Sequence, residues 1–181
     1  MGKKVGVVLS GCGVYDGAEI HESVITLLAL DRQGAEVVMC APDIAQMHVV
    51  NHLTGDVVEG EERNVLVESA RIARGAIKDV KDLSADDLDA LILPGGFGAA
   101  KNLCDFAVNG ADCAVNPDVA ALVRAVHGQG KPVAAVCIAH ALLAKVLGDT
   151  SPKLTIGNDA GTAGACLLYT SPSPRDLRQD L

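Results

Sequence analysis

The stretch Lys131-Pro132-Val133-Ala134-Ala135-Val136-Cys137-Ile138-Ala139-His140-Ala141-Leu142-Leu143 decides the fold. Its first half is a short apolar run behind a proline, and its second half is apolar with a helical period, so the chain turns from strand to helix at Cys137. A thiol on such a corner points outward, and the unpaired N–H groups that open a helix favour its thiolate. A free cysteine is otherwise most often a small buried hydrophobe. The surroundings of this one therefore decide its role.

The same alternation runs outward in both directions. Residues 5–9 read as a buried strand, and Ile20, Val24, Leu27 and Leu28 mark a helix that stops at Gly34. Residues 36–41 form a second strand, Val65, Leu66, Ile72 and Ala73 a second helix, and residues 88–93 a further strand closed by Pro94-Gly95-Gly96. Asn116-Pro117 caps a helix running to about His127, and residues 153–156 read as one more short strand. Strands alternating with helices predict an α/β domain whose mostly parallel sheet is covered on both faces and binds ligands at the strands' carboxyl ends.

A chain of 181 residues that is 49% apolar holds one sizeable core. Its net charge of −8 argues against nucleic acid or an anionic membrane surface as a partner. No apolar run approaches the ~20 residues of a membrane span. Leu9-Ser10-Gly11-Cys12 behind Lys3-Lys4 imitates a lipoprotein signal, but the apolar stretch between is far shorter than the ~7–15 residues such a signal needs. The cysteines at 12, 40, 104, 113, 137 and 166 form no C-x-x-C pair, which supports neither a zinc knuckle nor a redox dithiol and fits reduced thiols in a cytoplasm. No metal is expected from five histidines without ligand spacing. No dinucleotide cofactor is expected at Gly11-Cys12-Gly13, because Asp16 occupies the place of the third glycine.

Three loops should meet at the carboxyl ends of the strands: residues 10–17, Pro94-Gly95-Gly96-Phe97-Gly98, and the corner at Cys137. The amides of Gly95, Gly96 and Ile138 can then form an oxyanion site beside the thiolate. Asp16 and Glu19 have the spacing of a capping box, which gives Glu19 a structural task. Glu22 has none. It heads a row continued by Ile25 and Ala29, and reads as a partly buried carboxyl able to exchange a proton with the thiolate. His21 points roughly 100° away from Glu22 on the same helix. His140 lies one turn beyond the cysteine, and His48, His52 and His127 have no evident partner.

Gly17-Ala18-Glu19-Ile20-His21-Glu22, Asn51-His52-Leu53-Thr54-Gly55, the run from Pro94 through Leu103, Cys137-Ile138-Ala139 and Leu154-Thr155-Ile156-Gly157 together resemble the ElbB branch of the ThiJ/PfpI superfamily, within the class I glutamine amidotransferase-like fold. The likeness covers roughly residues 3–165. It implies a flavodoxin-like three-layer α/β/α sandwich, a nucleophile elbow at Cys137 and a helix-borne glutamate partner at Glu22. It also implies glyoxalase chemistry, the conversion of glyoxal or methylglyoxal to the hydroxy acid without glutathione, metal or other cofactor. The branch takes its name from an effect on isoprenoid biosynthesis, which is a phenotype. Protease-like relatives carry His directly after the cysteine, where this chain has Ile138, so peptidase chemistry is not expected. Relatives usually carry Pro where His140 stands, which makes this imidazole a candidate modulator of the thiol.

The resemblance implies further strands and a closing helix beyond residue 165. Residues 166–181, with two Ser-Pro steps, read as coil and look like the translation of a sequencing adapter. The expectation is a domain over 1–165, incomplete at its C-terminus, followed by a non-native tail. The leading function is a cytoplasmic glyoxalase acting on a small aldehyde, with a homodimer as the candidate assembly. The competing function is a non-enzymatic regulator whose Cys137 senses oxidation. Glutaminase chemistry lacks its downstream glutamate, since residues 138–165 contain none.

Overall fold

Val7 and Leu9 face one way from the first strand, β1 (Lys4–Val8), and Val8 faces the other, all three fully buried. A strand buried on both faces is the middle of a covered sheet. In the computed structural model, which describes residues 2–150, 152–154, 160–167 and 171–172, this strand is the centre of five. After β1 come α1 (Ile20–Arg32), β2 (Glu36–Ala41), α2 (Val65–Ala73), β3 (Ile77–Asp79), β4 (Ala90–Leu93), α3 (Phe97–Lys101), α4 (Phe106–Asn109), α5 (Pro117–Gly128), β5 (Val133–Ala135) and α6 (Ala139–Leu147). The sheet order is β3-β2-β1-β4-β5 and every pairing is parallel, with Val7 beside Met39 on one side and Ile92 on the other, and Leu93 beside Ala135.

The pleat divides the interior into two cores. Val7, Leu9 and Ala41 meet Leu27 and Leu30 of α1 and Val65 and Ala73 of α2 on one face. On the other, Val8, Cys40, Leu91 and Leu93 meet Val119, Val123 and Val126 of α5 and Leu142 and Val146 of α6. The result is the α/β/α flavodoxin-like sandwich expected from the sequence. The chain leaves β1 towards β2 and later returns to β4 on β1's other side, so the loops after β1 and β4 part and open a crevice at their carboxyl ends.

Local chemistry sets the helix ends. Asn64 accepts from the Val67 amide at 3.0 Å, and Asn116 accepts from Asp118 and Val119 at 3.0 and 3.1 Å ahead of Pro117. Glu19 caps α1 by itself, accepting from the Glu22 amide at 2.6 Å. Asp16 is not its capping-box partner: its buried carboxylate instead accepts from the Val50 amide at 2.7 Å.

Two local features differ from the sequence reading. Of Ile20, Val24, Leu27 and Leu28, which mark α1, Leu27 packs against the core and the other three are exposed; Ser23 is the residue it buries completely. The edge strand β3 went unanticipated, since three residues, Ile77-Lys78-Asp79, are too few to carry a period. The helix α7 (Ala160–Leu167) carries Cys166 into contact with buried Ala141 and Ala144, and β7 (Ser171–Pro172) pairs in parallel with β6 (Lys153–Leu154). Thr155 and Ile156 of the expected last strand, and the remainder of the expected tail, lie outside the described residues.

Backbone meets backbone where α3 crosses the loop after β1. A Cβ on Gly98 would sit 2.5 Å from the Gly17 backbone and from the Ser10 carbonyl oxygen, neither of which can yield. Gly98→Ala should therefore destabilise the protein by about 1–3 kcal/mol in urea unfolding. Gly128→Ala, at a helix end with nothing within 4 Å of the added methyl, should be neutral or stabilising by up to about 1 kcal/mol.

Candidate active site

Cys137 lies between β5 and α6 with φ +52°, and Arg74 is the only other described non-glycine residue with positive φ. A left-handed conformation costs an ordinary residue roughly 1–2 kcal/mol, so the neighbours must hold it. Val136 N–H donates to Leu93 O at 2.9 Å, which fixes the strand side, and Ala139 N–H donates to Val136 O at 3.1 Å across the turn. The Cys137 carbonyl accepts from His140 Nδ1. A carbonyl can only accept, so this nitrogen carries the ring proton. His140 thus holds the corner's backbone through the peptide oxygen.

The corner leaves Cys137 as the one exposed thiol of six, all of them free. Burial pushes Cys40 and Cys104 up to about 12 and Cys166 up to about 11, and also raises Cys12 and Cys113. These five are kept in the unreactive thiol form at neutral pH.

Glu22 reaches the corner from α1. Its Oε2 accepts from the Gly95 amide at 2.9 Å, and the Gly95 carbonyl accepts from the Glu19 amide at 2.9 Å, so the start of α1 is tied to the loop after β4 by two bonds. Gly95 is the place where α1, the loop after β4 and the corner after β5 touch. A Cβ there would collide with Glu22 Oε2, lie 2.5 Å from the Cys137 Cβ and 2.8 Å from the Val136 carbonyl oxygen. The expected half-burial of Glu22 is present, but it comes from this loop and not from the row of Ile25 and Ala29, both exposed.

A cavity of about 500 Å³ opens over the cysteine and takes in Glu19, Glu22, Gly96, Ile138 and His140, with Val14 and Phe97 as apolar wall. One expected oxyanion donor is removed from this site: the Gly95 N–H is already spent on Glu22. The Gly96 and Ile138 amides donate to no group among the described residues, so these two remain able to meet a ligand oxygen. Gly96 needs its φ of +96° and its missing side chain, since a Cβ would lie 2.5 Å from Gly17 O.

Two residues were not singled out from the sequence as part of the site. Glu19 lines the cavity as well as capping α1, and the buried Asn102 holds the floor loop by donating from Nδ2 to Ser10 O at 2.8 Å and Asp16 O at 2.9 Å. No sequence signal separates Asn102 from a surface asparagine. The glycine loop 11–13 is occupied by the protein itself, with Gly11 N–H on Ser69 Oγ at 2.8 Å and Gly13 N–H on Ala18 O at 2.9 Å, which leaves those amides unavailable to a phosphate. His52 donates from Nδ1 to Val50 O and accepts from the Tyr15 amide, and His21 sits on Glu19 at 3.0 Å, so neither faces the thiol. Among the described residues no group of three or more His, Cys, Asp or Glu could hold a metal ion, and no helix is long and apolar enough to cross a membrane.

Exposure and the strained corner predict selective alkylation. In folded protein iodoacetamide should modify Cys137 at least tenfold faster than Cys40, as read by peptide mass spectrometry over time. Equal labelling of the two would remove the assignment of Cys137 as the reactive thiol.

Residues 8–156 match the model of the DJ-1/PfpI family. The chain is 55% identical over 161 residues to the human protein named glutamine amidotransferase-like class 1 domain-containing protein 3, mitochondrial, covering 89% of this chain and 59% of that protein. It is 38% identical over 157 residues to the zebrafish mitochondrial ES1 protein, covering 84% of this chain and 57% of that one. It thus spans less than two thirds of the length of these relatives. A crystal structure of an isoprenoid biosynthesis protein with amidotransferase-like domain from Ehrlichia chaffeensis superposes with a TM-score of 0.85 at 36% identity, covering 94% of this chain and 78% of that one. A ThiJ/PfpI domain protein from Brachyspira murdochii shares the fold at 12% identity, with a TM-score of 0.57 over 94% of this chain and 78% of that one. By the matched span and by the likeness of its structure, the chain belongs to the DJ-1/PfpI family.

Proposed function

We propose that the protein is a cofactor-independent enzyme of the glyoxalase type, of the ElbB kind within its family, converting a small 2-oxoaldehyde to the 2-hydroxy acid. The observation that carries this reading is the exposed Cys137 at φ +52°, sharing one cavity with a Glu22 carboxyl anchored on Gly95. The Cys137 sulfur adds to the aldehyde carbon, and the carbonyl oxygen takes a proton to give a hemithioacetal. Glu22 removes the proton from that carbon and returns it to the neighbouring ketone carbon through an enediol, leaving a thioester of the hydroxy acid. Water then cleaves the thioester, releasing the carboxylic acid and the free thiol. The amides of Gly96 and Ile138 are placed to meet the oxyanion, each worth on the order of 3 kcal/mol in such a role.

The enediol step moves protons within the substrate and the last step consumes one water, so no external oxidant or reductant enters. His140, bound to the peptide oxygen of Cys137, supports the elbow and takes no proton in this scheme. Six free thiols fit a reducing compartment, cytoplasmic or, as the names of the human and zebrafish relatives indicate for those proteins, mitochondrial.

Glu22→Gln keeps the shape and the acceptor for Gly95 but cannot carry a proton, so kcat with methylglyoxal should fall by about 10²–10⁴ while the fold persists. Cys137→Ser should abolish turnover. The competing reading, a regulator that is oxidised at the same exposed thiol, predicts no turnover by the native protein. Should Glu22→Gln turn over at the native rate, the proton-relay role of Glu22 is overturned. Product formation by coupled assay and far-UV circular dichroism of each variant make the comparison.

A further inference from the structure

The cavity over Cys137 is lined both by acids and by hydrocarbon. Glu19 and Glu22 both line it, and among the described residues no lysine or arginine does. Glu19 is a lasting anion: the Glu22 amide bonded to its Oε2 at 2.6 Å holds its carboxyl below the usual carboxylate range, and His21 beside Oε1 acts in the same direction. Lys101 of α3 is engaged elsewhere, donating from Nζ to Tyr15 O at 2.9 Å and lying 5.5 Å from the centroid of the Phe97 ring. Val14, Phe97 and Ile138 supply the apolar side, and about 500 Å³ exceeds what a three-carbon aldehyde fills.

We infer that Glu19 sets the charge selectivity of this site, which admits uncharged carbonyl compounds bearing an apolar arm and rejects those carrying a carboxylate or phosphate. The inference rests on the reading of Cys137 as the nucleophile and names the class of substrate that the cavity takes. An anionic group brought within a few ångströms of Glu19 meets a like charge in a partly desolvated wall, which is worth roughly ten- to a hundredfold in rate. The same field favours release of the product, because turnover converts a neutral dicarbonyl into a carboxylate beside two other carboxyls. Glu19 touches no reacting atom in this account; it acts through its charge.

The test uses two alkylating reagents of nearly equal size, neutral iodoacetamide and anionic iodoacetate, with modification of Cys137 followed by peptide mass spectrometry. In low salt the ratio of their rates at Cys137 should exceed that of free N-acetylcysteine by about tenfold. It should collapse towards the free-thiol value in Glu19→Gln and, in the native protein, in 1 M salt, where the screening length falls to about 3 Å. The salt arm needs no variant, so it stands even if loss of this helix cap weakens folding. A native ratio equal to that of N-acetylcysteine overturns the inference. Alkylation requires only the thiol, so failure of methylglyoxal turnover with the ratio intact removes the proposed reaction and leaves the charge selectivity. Where turnover is present, kcat/KM for phenylglyoxal should exceed that for 4-carboxyphenylglyoxal by about tenfold, and the gap should close in Glu19→Gln.

Discussion

The 2.9 Å hydrogen bond from the Gly95 amide to Glu22 Oε2 joins two elements that are far apart in sequence and sets the geometry of the rest of the site. It lies where α1 on one side of the sheet, the loop after β4 and the corner after β5 converge. Only a residue without a side chain lets them meet, because a Cβ at position 95 would strike Glu22 and the Cys137 Cβ together. The close contacts then propagate. Gly96 admits the Glu19 amide and Gly17 O, and Gly98 admits the backbone of Gly17 and Ser10, so that α3 and the start of α1 lock against each other without side chains between them. Replacing the charge of Glu22 by an amide oxygen preserves this lock, which is why its chemistry and its packing can be separated experimentally.

The strained corner at Cys137 persists because rigid elements flank it. Val136, just past the edge strand β5, is bonded to Leu93 of β4, and α6 begins two residues after Cys137 with Ala139, Leu142 and Leu143 buried. Burying such side chains stabilises by about 1.5–3 kcal/mol for each large one, more than the roughly 1–2 kcal/mol that a left-handed cysteine costs. His140 adds a bond to the one peptide oxygen that the turn leaves outside the helix. The six cysteines thereby divide on physical grounds: four are buried and Cys12 is half-buried, so that desolvation holds all five as neutral thiols, and one is pushed outward by the backbone.

The alternation of strands and helices and the strand-to-helix corner at Cys137 were legible in the sequence, since each rests on local pattern: buried runs of strand length, caps such as Asn116-Pro117, and adjacent glycines after a strand. What was not legible depends on contacts between distant segments. Ile20, Val24 and Leu28 have the spacing of a buried row, yet α1 is turned so that Ser23 is fully buried and those three face outward. Glu22 heads a different row, continued by Ile25 and Ala29, yet its environment comes from Gly95, seventy-three residues away. The same bond removes the Gly95 amide from the oxyanion site, which no reading of Pro94-Gly95-Gly96 alone could reveal. The burial of Cys166 likewise depends on Ala141 and Ala144 of α6, residues more than twenty positions away.

Glu19 shows why a structural role does not exclude a functional one. Capping a helix requires an oxygen at the first amides, and the ends of helices after parallel strands lie at the carboxyl edge of the sheet, where ligands bind. A cap that is also a carboxylate therefore places a fixed charge on the cavity wall, and the amide it accepts from keeps that charge in place by holding the carboxyl below its usual range. Serine or asparagine would cap α1 as well without the field. The choice of glutamate at position 19 couples the start of α1 to the electrostatics of the thiol's surroundings. Assigning this residue to the fold alone, as its spacing from Asp16 invites, overlooks the charge that it brings to the site.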